Sequence, residues 1–307
     1  MTRANQKELL VPQDADVTLP DGVKRAGAVE PLVEIRSKKD EDEAVKQALK
    51  VGRVFVKCTD WKIIPFENLV AKCRGKAKVI AVVASAEEGK VALEALELGL
   101  DGVLLDPCTK KELESLAKLV SGMDSARVEL AEAEVKTVKS LGMGARACID
   151  TCALMGSGEG MLIGSSSAGM LFVQCECEQN SLASPRPFRV NAGALSLYAL
   201  APENRTKYLE EMRAGDPVLV ISRDGSTRQS FVGRSKIELR PLLLVEAVRD
   251  GMVAKAVLQN AETVRLVTAE GSKSVTELKA GDRILAHFER GGRHFGTHVK
   301  DEMVIEQ

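Results

Sequence analysis

A chain of 307 residues can bury a sizeable core and commonly divides into two domains. Its 43 Lys and Arg against 44 Asp and Glu leave no basic field for nucleic acid or an anionic bilayer, and 3% aromatics argue against base-stacking platforms. The longest apolar runs, such as Leu242–Leu243–Leu244–Val245, fall far short of a membrane helix, and Met1-Thr-Arg-Ala-Asn5 lacks the apolar core of a secretory signal. Seven cysteines in such a chain read as reduced thiols, so the expectation is a cytoplasmic enzyme, or an organellar one after removal of a transit peptide. Its expected partner is a small polar metabolite; the oligomeric state is not encoded in any motif.

The first ~30 residues are polar, punctuated by Pro and Gly, and read as a loose lead-in. From Pro31 onward strands and helices alternate. Val33–Ile35 is a predicted strand, Asp42 through Leu49 a helix, Val54–Val56 a strand, and a second helix begins near Pro65, a residue suited to the first turn. Val79–Val83 is a continuous apolar strand. Ser85 caps the next helix, with Glu88 three residues on as the partner of a capping box, and Gly99 ends it. Val103–Leu105 is the fourth strand and Thr109 caps a helix through Val120. Strands apolar on both faces that alternate with helices imply a parallel sheet, in a barrel or an open form.

Near Gly122–Ser125 the rhythm changes from helical to period two. The predicted boundaries are therefore an α/β domain over 1–124 and a β-rich, barrel-like domain over 125–307. Three strings align without gaps in the second part: Leu141–Ile149, Met212–Val220 and Leu278–Ala286, spaced by 71 and 66 residues. Each reads as an apolar anchor, a glycine turn and a strand. Turns are also expected at Asp224–Gly225 and Asp250–Gly251.

Chemistry concentrates in a few strings. Asp150-Thr-Cys-Ala-Leu-Met-Gly-Ser-Gly-Glu-Gly-Met-Leu-Ile-Gly-Ser165 carries glycines at 156, 158, 160 and 164. A strand follows them, so this is no dinucleotide fingerprint; no Walker lysine follows either. It reads as a ligand-contacting loop or a glycine-rich β turn. Arg186-Pro-Phe-Arg-Val-Asn-Ala-Gly193 offers two planar guanidinium forks stiffened by prolines, suited to a carboxylate or phosphate. Gln259-Asn-Ala-Glu-Thr-Val-Arg265 sets Asn260, Glu262 and Arg265 in a β region otherwise rich in Val and Leu. Lys62 follows a predicted strand directly, where a desolvated lysine can act as a base or form a Schiff base. His294, in Arg293-His-Phe-Gly296, is the one histidine in a distinctive string. The cysteine spacings 148/152 and 175/177 do not make a structural zinc pattern.

Taken together these strings, with Asp60-Trp-Lys-Ile-Ile-Pro-Phe-Glu-Asn68 and Asp101-Gly-Val-Leu-Leu-Asp106, resemble the archaeal-type 3-dehydroquinate synthase (3-dehydroquinate synthase II) family, which also contains 3-amino-4-hydroxybenzoate synthases. They run collinearly from about residue 50 to the C-terminus. The resemblance implies NAD-dependent oxidation of an amino sugar acid, 2-amino-3,7-dideoxy-D-threo-hept-6-ulosonate, at its amine carbon, then an aldol closure to 3-dehydroquinate in aromatic amino-acid biosynthesis. Such chemistry needs a carboxylate clamp, a base and a proton carrier. Arg186 and Arg189 suit the clamp, aided by Asn191, Asn260 and Arg265; Lys62 suits the base; Glu262 and His294 suit proton transfer. The glycine string, at Gly158, Glu159, Gly160 and Gly164, is the candidate contact for NAD. The archaeal pattern has a lysine where this chain has Ala84 and histidines where it has Gln174 and Ser196, which leaves open a metal-dependent, NAD-free aminohydroxybenzoate cyclase or a non-catalytic ligand-binding relative.

Overall fold

The computed structural model describes residues 7–27, 31–59, 62–96, 99–123, 127–179, 183–289, 292–294 and 297–299. Its contacts divide the chain into two units, Met1–Asp124 and Ser125–Gln307.

The first unit is a parallel sheet with βα repeats. Its strands are β1 (Glu8–Val11), β2 (Val23–Arg25), β3 (Leu32–Ile35), β4 (Arg53–Cys58), β5 (Lys78–Val83) and β6 (Gly102–Leu105), in the order β2-β1-β6-β5-β4-β3. Helices α1 (Lys38–Val51), α2 (Ile63–Cys73), α3 (Ala86–Leu93) and α4 (Lys110–Met123) follow β3 to β6 in turn. Neighbouring strands thus succeed one another in one direction, and right-handed crossovers then stack the helices on one face. On that face Val54, Val56, Val79, Ala81, Val103 and Leu105 pack with Leu69, Leu93, Leu113 and Leu116. The alternate residues Leu10, Phe55, Ile80 and Val82 form a second buried cluster. Both faces are apolar, which is why these strands read as unbroken runs.

Two expectations change here. The lead-in is not loose throughout: β1 pairs in parallel with β6 and with β2, so Leu9, Leu10 and Val11 are core residues. The helix after Ser85 stops at Leu93, well before Gly99, and Leu96 stands in the left-handed region at φ 55°. Ser85 does cap it, accepting from the Glu88 N–H at 3.2 Å, but the Glu88 carboxylate reaches back one residue further, to the Ala84 N–H at 3.0 Å.

The second unit is an antiparallel, 14-stranded sheet among the described residues. It comprises β7 (Ala131–Thr151), β8 (Glu159–Ser166), β9 (Gly169–Glu176), β10 (Arg186–Ala194), β11 (Tyr198–Ala201), β12 (Arg205–Tyr208), β13 (Pro217–Ser222), β14 (Thr227–Arg249), β15 (Met252–Gln259), β16 (Arg265–Val267), β17 (Ser272–Ser274), β18 (Arg283–Phe288), β19 (Gly292–His294) and β20 (Thr297–Val299). The long strands β7 and β14 pair along most of their length. The main path runs β17-β16-β9-β10-β7-β14-β13-β8-β11-β12-β20-β19, with β15 on β14, β18 on β7 and β9, and β8 on β9. The closure is uneven rather than that of a regular barrel. Asp250–Gly251 turns β14 into β15 with φ 49° and 80°, as a tight hairpin requires. Among the described residues, no helix is long and apolar enough to cross a membrane.

The threefold repeat is corrected to a twofold one. Segment 141–149 lies inside β7, interrupted only by a bulge near Gly142, and holds no turn. The other two segments match bond for bond. Asp216 Oδ2 accepts from Arg213 N–H at 2.6 Å and Lys207 Nζ at 2.6 Å; Asp282 Oδ2 accepts from Lys279 N–H at 2.7 Å and Lys273 Nζ at 2.7 Å. The Gly215 and Gly281 N–H groups then donate to Val232 on β14 and Val135 on β7. Correspondingly, β13 pairs with β14 and β8, while β18 pairs with β7 and β9.

Candidate functional site

Alternation along β7 separates two environments. Ala147 and Ile149 face the core, whereas Arg146, Cys148 and Asp150 face the other way. Register brings polar partners to the same face from both sides. On β14, Arg234 lies opposite Asp150, Lys236 opposite Cys148 and Glu238 opposite Arg146; on β10, Arg189 lies opposite Asp150 and Asn191 opposite Cys148. The result is a charged ladder across three strands.

Asp150 is its hub. Arg189 donates to both carboxylate oxygens, Nε to Oδ1 at 2.6 Å and Nη2 to Oδ2 at 2.9 Å, and Arg234 donates twice to Oδ2, at 2.9 and 2.6 Å. Burial works to raise the Asp150 pKa, but the two guanidinium groups outweigh it and hold the carboxyl below its ordinary range. Arg189 is only 8% exposed, and Asp150 occupies its fork. Arg189 is therefore placed as an internal ion-pair partner, and Asn191 beside it donates to Gln259 Oε1 at 2.9 Å and to Glu176 Oε1 at 3.4 Å.

A cavity of about 520 Å³ opens at the end of β9, lined by Glu176, Glu178, Arg186, Glu262, Thr263 and Arg265 among others. Three of the residues singled out in the sequence meet here: Arg186 from the start of β10, Glu262 from the turn after β15, and Arg265 from β16. Glu176 ties the walls together, accepting from Arg186 Nη1 at 3.4 Å, from Asn191 and from Thr263 Oγ1. Arg265 is braced on Ser272, donating to its hydroxyl at 2.8 Å and its carbonyl at 2.7 Å. Gln174 stands behind the wall, 1% exposed; it accepts from Gly158 N–H and donates to Glu178.

The remaining candidates lie elsewhere. Asn260 is exposed in the turn after β15, and Ser196 is exposed between β10 and β11. Lys62 belongs to the first unit and is paired with Glu88 at 2.5 Å, near the carboxyl ends of β4 and β5. His294 lies on β19, and its side chain is outside the described residues. The glycine string forms the turn into β8 and runs on into that strand, and Gly158, Gly160 and Gly164 pack against protein. A Cβ on Gly158 would strike the Arg223 guanidinium at 2.9 Å, on Gly160 the Val173 carbonyl oxygen at 2.0 Å, and on Gly164 the Gly169 carbonyl oxygen at 2.5 Å. Glu159 accepts from Gly156 N–H, Ser222 and Arg228, contacts that outweigh its burial and lower its pKa. The Gly156 and Gly158 N–H groups donate to the Glu159 and Gln174 side chains. Among the described residues, no three His, Cys, Asp or Glu side chains gather as a metal site.

The reading of the sequence missed Arg146, Glu176, Arg234 and Glu238. The available signal was the period-two spacing of Arg146, Cys148 and Asp150 against Arg234, Lys236 and Glu238, which becomes a ladder only once β7 and β14 are known to pair.

Residues 3–120 match the 3-dehydroquinate synthase II N-terminal domain, and residues 132–307 match the 3-dehydroquinate synthase II C-terminal domain. A 3-dehydroquinate synthase of Methanothermobacter thermautotrophicus is 44% identical over 95% of this chain and 79% of its own length. That of Methanocaldococcus jannaschii is 47% identical over 90% and 77%, and a 3-dehydroquinate synthase homolog of Aquifex aeolicus is 44% identical over 95% and 86%. No solved structure matches. With both halves matched in order and identity sustained across nearly the whole chain, the protein belongs to the 3-dehydroquinate synthase II family.

Proposed function

We propose that this chain is an archaeal-type 3-dehydroquinate synthase acting in aromatic amino-acid biosynthesis. It oxidises 2-amino-3,7-dideoxy-D-threo-hept-6-ulosonate at the amine carbon, water releases ammonia from the resulting imine, and the 2-keto acid closes to 3-dehydroquinate by an intramolecular aldol. NAD is the oxidant this reaction requires. The observation that carries the reading is the charge pattern of the cavity. An amino acid substrate is a zwitterion, and the cavity supplies both complements: Arg186 and Arg265 for a carboxylate, Glu176, Glu178 and Glu262 for an ammonium. Relatives bearing the synthase name, similar across both halves, support the same reading.

In this reading Arg265, fixed by Ser272, presents its remaining guanidinium edge to the carboxylate, and Arg186 closes over it. Glu262 takes and returns the proton moved during ring closure. The aminohydroxybenzoate alternative would need a divalent metal and no nicotinamide, so its product would form without nicotinamide reduction. The test is direct: purified protein, the amino ketoacid and NAD should give rising nicotinamide absorbance and 3-dehydroquinate. Absence of both, with a folded protein, would reject the assignment.

A further inference from the structure

The charged ladder on β7, β14 and β10 is unbalanced. Arg146, Arg189, Arg234, Lys236 and Arg240 share only two carboxylates, Asp150 and Glu238. Glu238 alone takes Arg146 at 3.3 Å, Lys236 at 3.1 Å and Arg240 at 2.6 Å. Five positive charges against two leave an excess of three. Adding the neighbouring Glu176 together with its partner Arg186 to the count leaves the excess unchanged.

Two further features suit this face to an anion. The Arg146 side chain is 4% exposed, yet its Nε has no hydrogen-bond partner. Its Nη1 rests on the Cys148 thiol, which burial holds protonated with a pKa of about 11, so that contact supplies no countercharge. A buried guanidinium left partly unpaired costs free energy unless something else neutralises it. In contrast, Arg234, Lys236 and Arg240 keep side-chain exposures of 60%, 43% and 41%, at alternate positions on one face of β14. Arg240 lies opposite Gly144, where the partner strand contributes no side chain. The strip spans roughly 20 Å at the usual strand rise.

We propose that this face is a binding site for a phosphate-bearing small anion, held by Arg234, Lys236 and Arg240 over the buried Arg146. Forked guanidinium groups beside an ammonium suit phosphate oxygens, and three part-exposed cations in a row suit the higher charge of a diphosphate ester better than one phosphate. Identifying that diphosphate with the pyrophosphate of NAD rests on the function proposed above; the site itself does not.

Calorimetric titration of the full-length protein with inorganic pyrophosphate, inorganic phosphate and NAD tests this without turnover. Pyrophosphate should bind, with affinity falling as salt rises. Replacing Arg234, Lys236 and Arg240 together by Gln should weaken it by more than roughly tenfold, while circular dichroism stays unchanged. Glu238→Gln should tighten binding several-fold, since it frees three cations from a competing carboxylate; a purely structural glutamate would give no tightening. NAD binding that pyrophosphate displaces, and that the triple variant loses, assigns the site to the dinucleotide. Phosphate and pyrophosphate binding without competition from NAD keeps the site and removes that identification. No anion binding, or binding indifferent to both the triple variant and Glu238→Gln, overturns the proposal. Turnover that fails while anion binding persists would count against the reaction, not the site.

Discussion

Replacing Asp150 by Asn tests the hub of the ladder. The two side chains have the same shape, but Asn brings no charge and turns an N–H₂ toward guanidinium donors. Arg189, 8% exposed, would lose its bidentate partner and remain as an uncompensated buried cation. Breaking a buried pair from one side costs about 3–5 kcal/mol. The Arg234 arm adds little, on the order of 0–1 kcal/mol, because that side chain is 60% exposed. For a domain of this size the loss corresponds to a fall of about 6–20 °C in melting temperature, readable by scanning calorimetry. The pH dependence has a definite sign. A carboxyl whose folded pKa lies below its unfolded value contributes stability that is complete above the unfolded pKa and lost as pH falls through the folded one. Asp150 is lowered from 3.8, so the difference between wild type and variant should be flat from neutral pH down to that region and shrink only below it. A loss under about 1 kcal/mol, or a difference already gone at about pH 6, would refute the hub assignment.

Arg189→Ala should destabilise similarly, and the double variant with Asp150→Asn should lose less than the sum, as a double-mutant cycle in melting experiments would show. Gly160→Ala should cost about 1–3 kcal/mol, because its new methyl meets the Val173 carbonyl backbone, and denaturant titration measures this. Arg265→Ala should raise KM by the equivalent of about 2–5 kcal/mol of substrate binding, with the melting temperature little changed; Arg265→Lys should recover only part. Lys62→Met should change stability by under about 1 kcal/mol, its pair with Glu88 being one-third exposed, yet lower kcat by about 10²- to 10⁴-fold if Lys62 is the base.

The parallel strands were legible because Val79–Val83 and its neighbours are apolar on both faces, and the helix starts because Ser85 and Thr109 carry capping hydroxyls. Glu112 N–H donates to Thr109 Oγ1 at 3.3 Å. The strand Glu8–Val11 escaped notice because its pairing partner β6 lies ~90 residues away and short strands carry little periodicity. The α3 terminus was misplaced because the apolar period continues past Leu93 although the backbone does not. For the site, local strings found Arg186, Glu262 and Arg265, which the turns bring into one cavity. Local strings could not reveal that Arg189 is spent on Asp150, since that contact depends on the β7–β10 register. Glycine spacing suggested a ligand loop, but backbone carbonyls fill the spaces at Gly160 and Gly164.

Oxidative deamination coupled to ring closure has a fixed stoichiometry. In one reaction of purified protein, amino ketoacid and NAD, reduced nicotinamide, ammonia and 3-dehydroquinate would be quantified together. Equal molar amounts of all three are expected. Dehydroquinate or another cyclic product formed without reduced nicotinamide would contradict this, as would no product from folded protein.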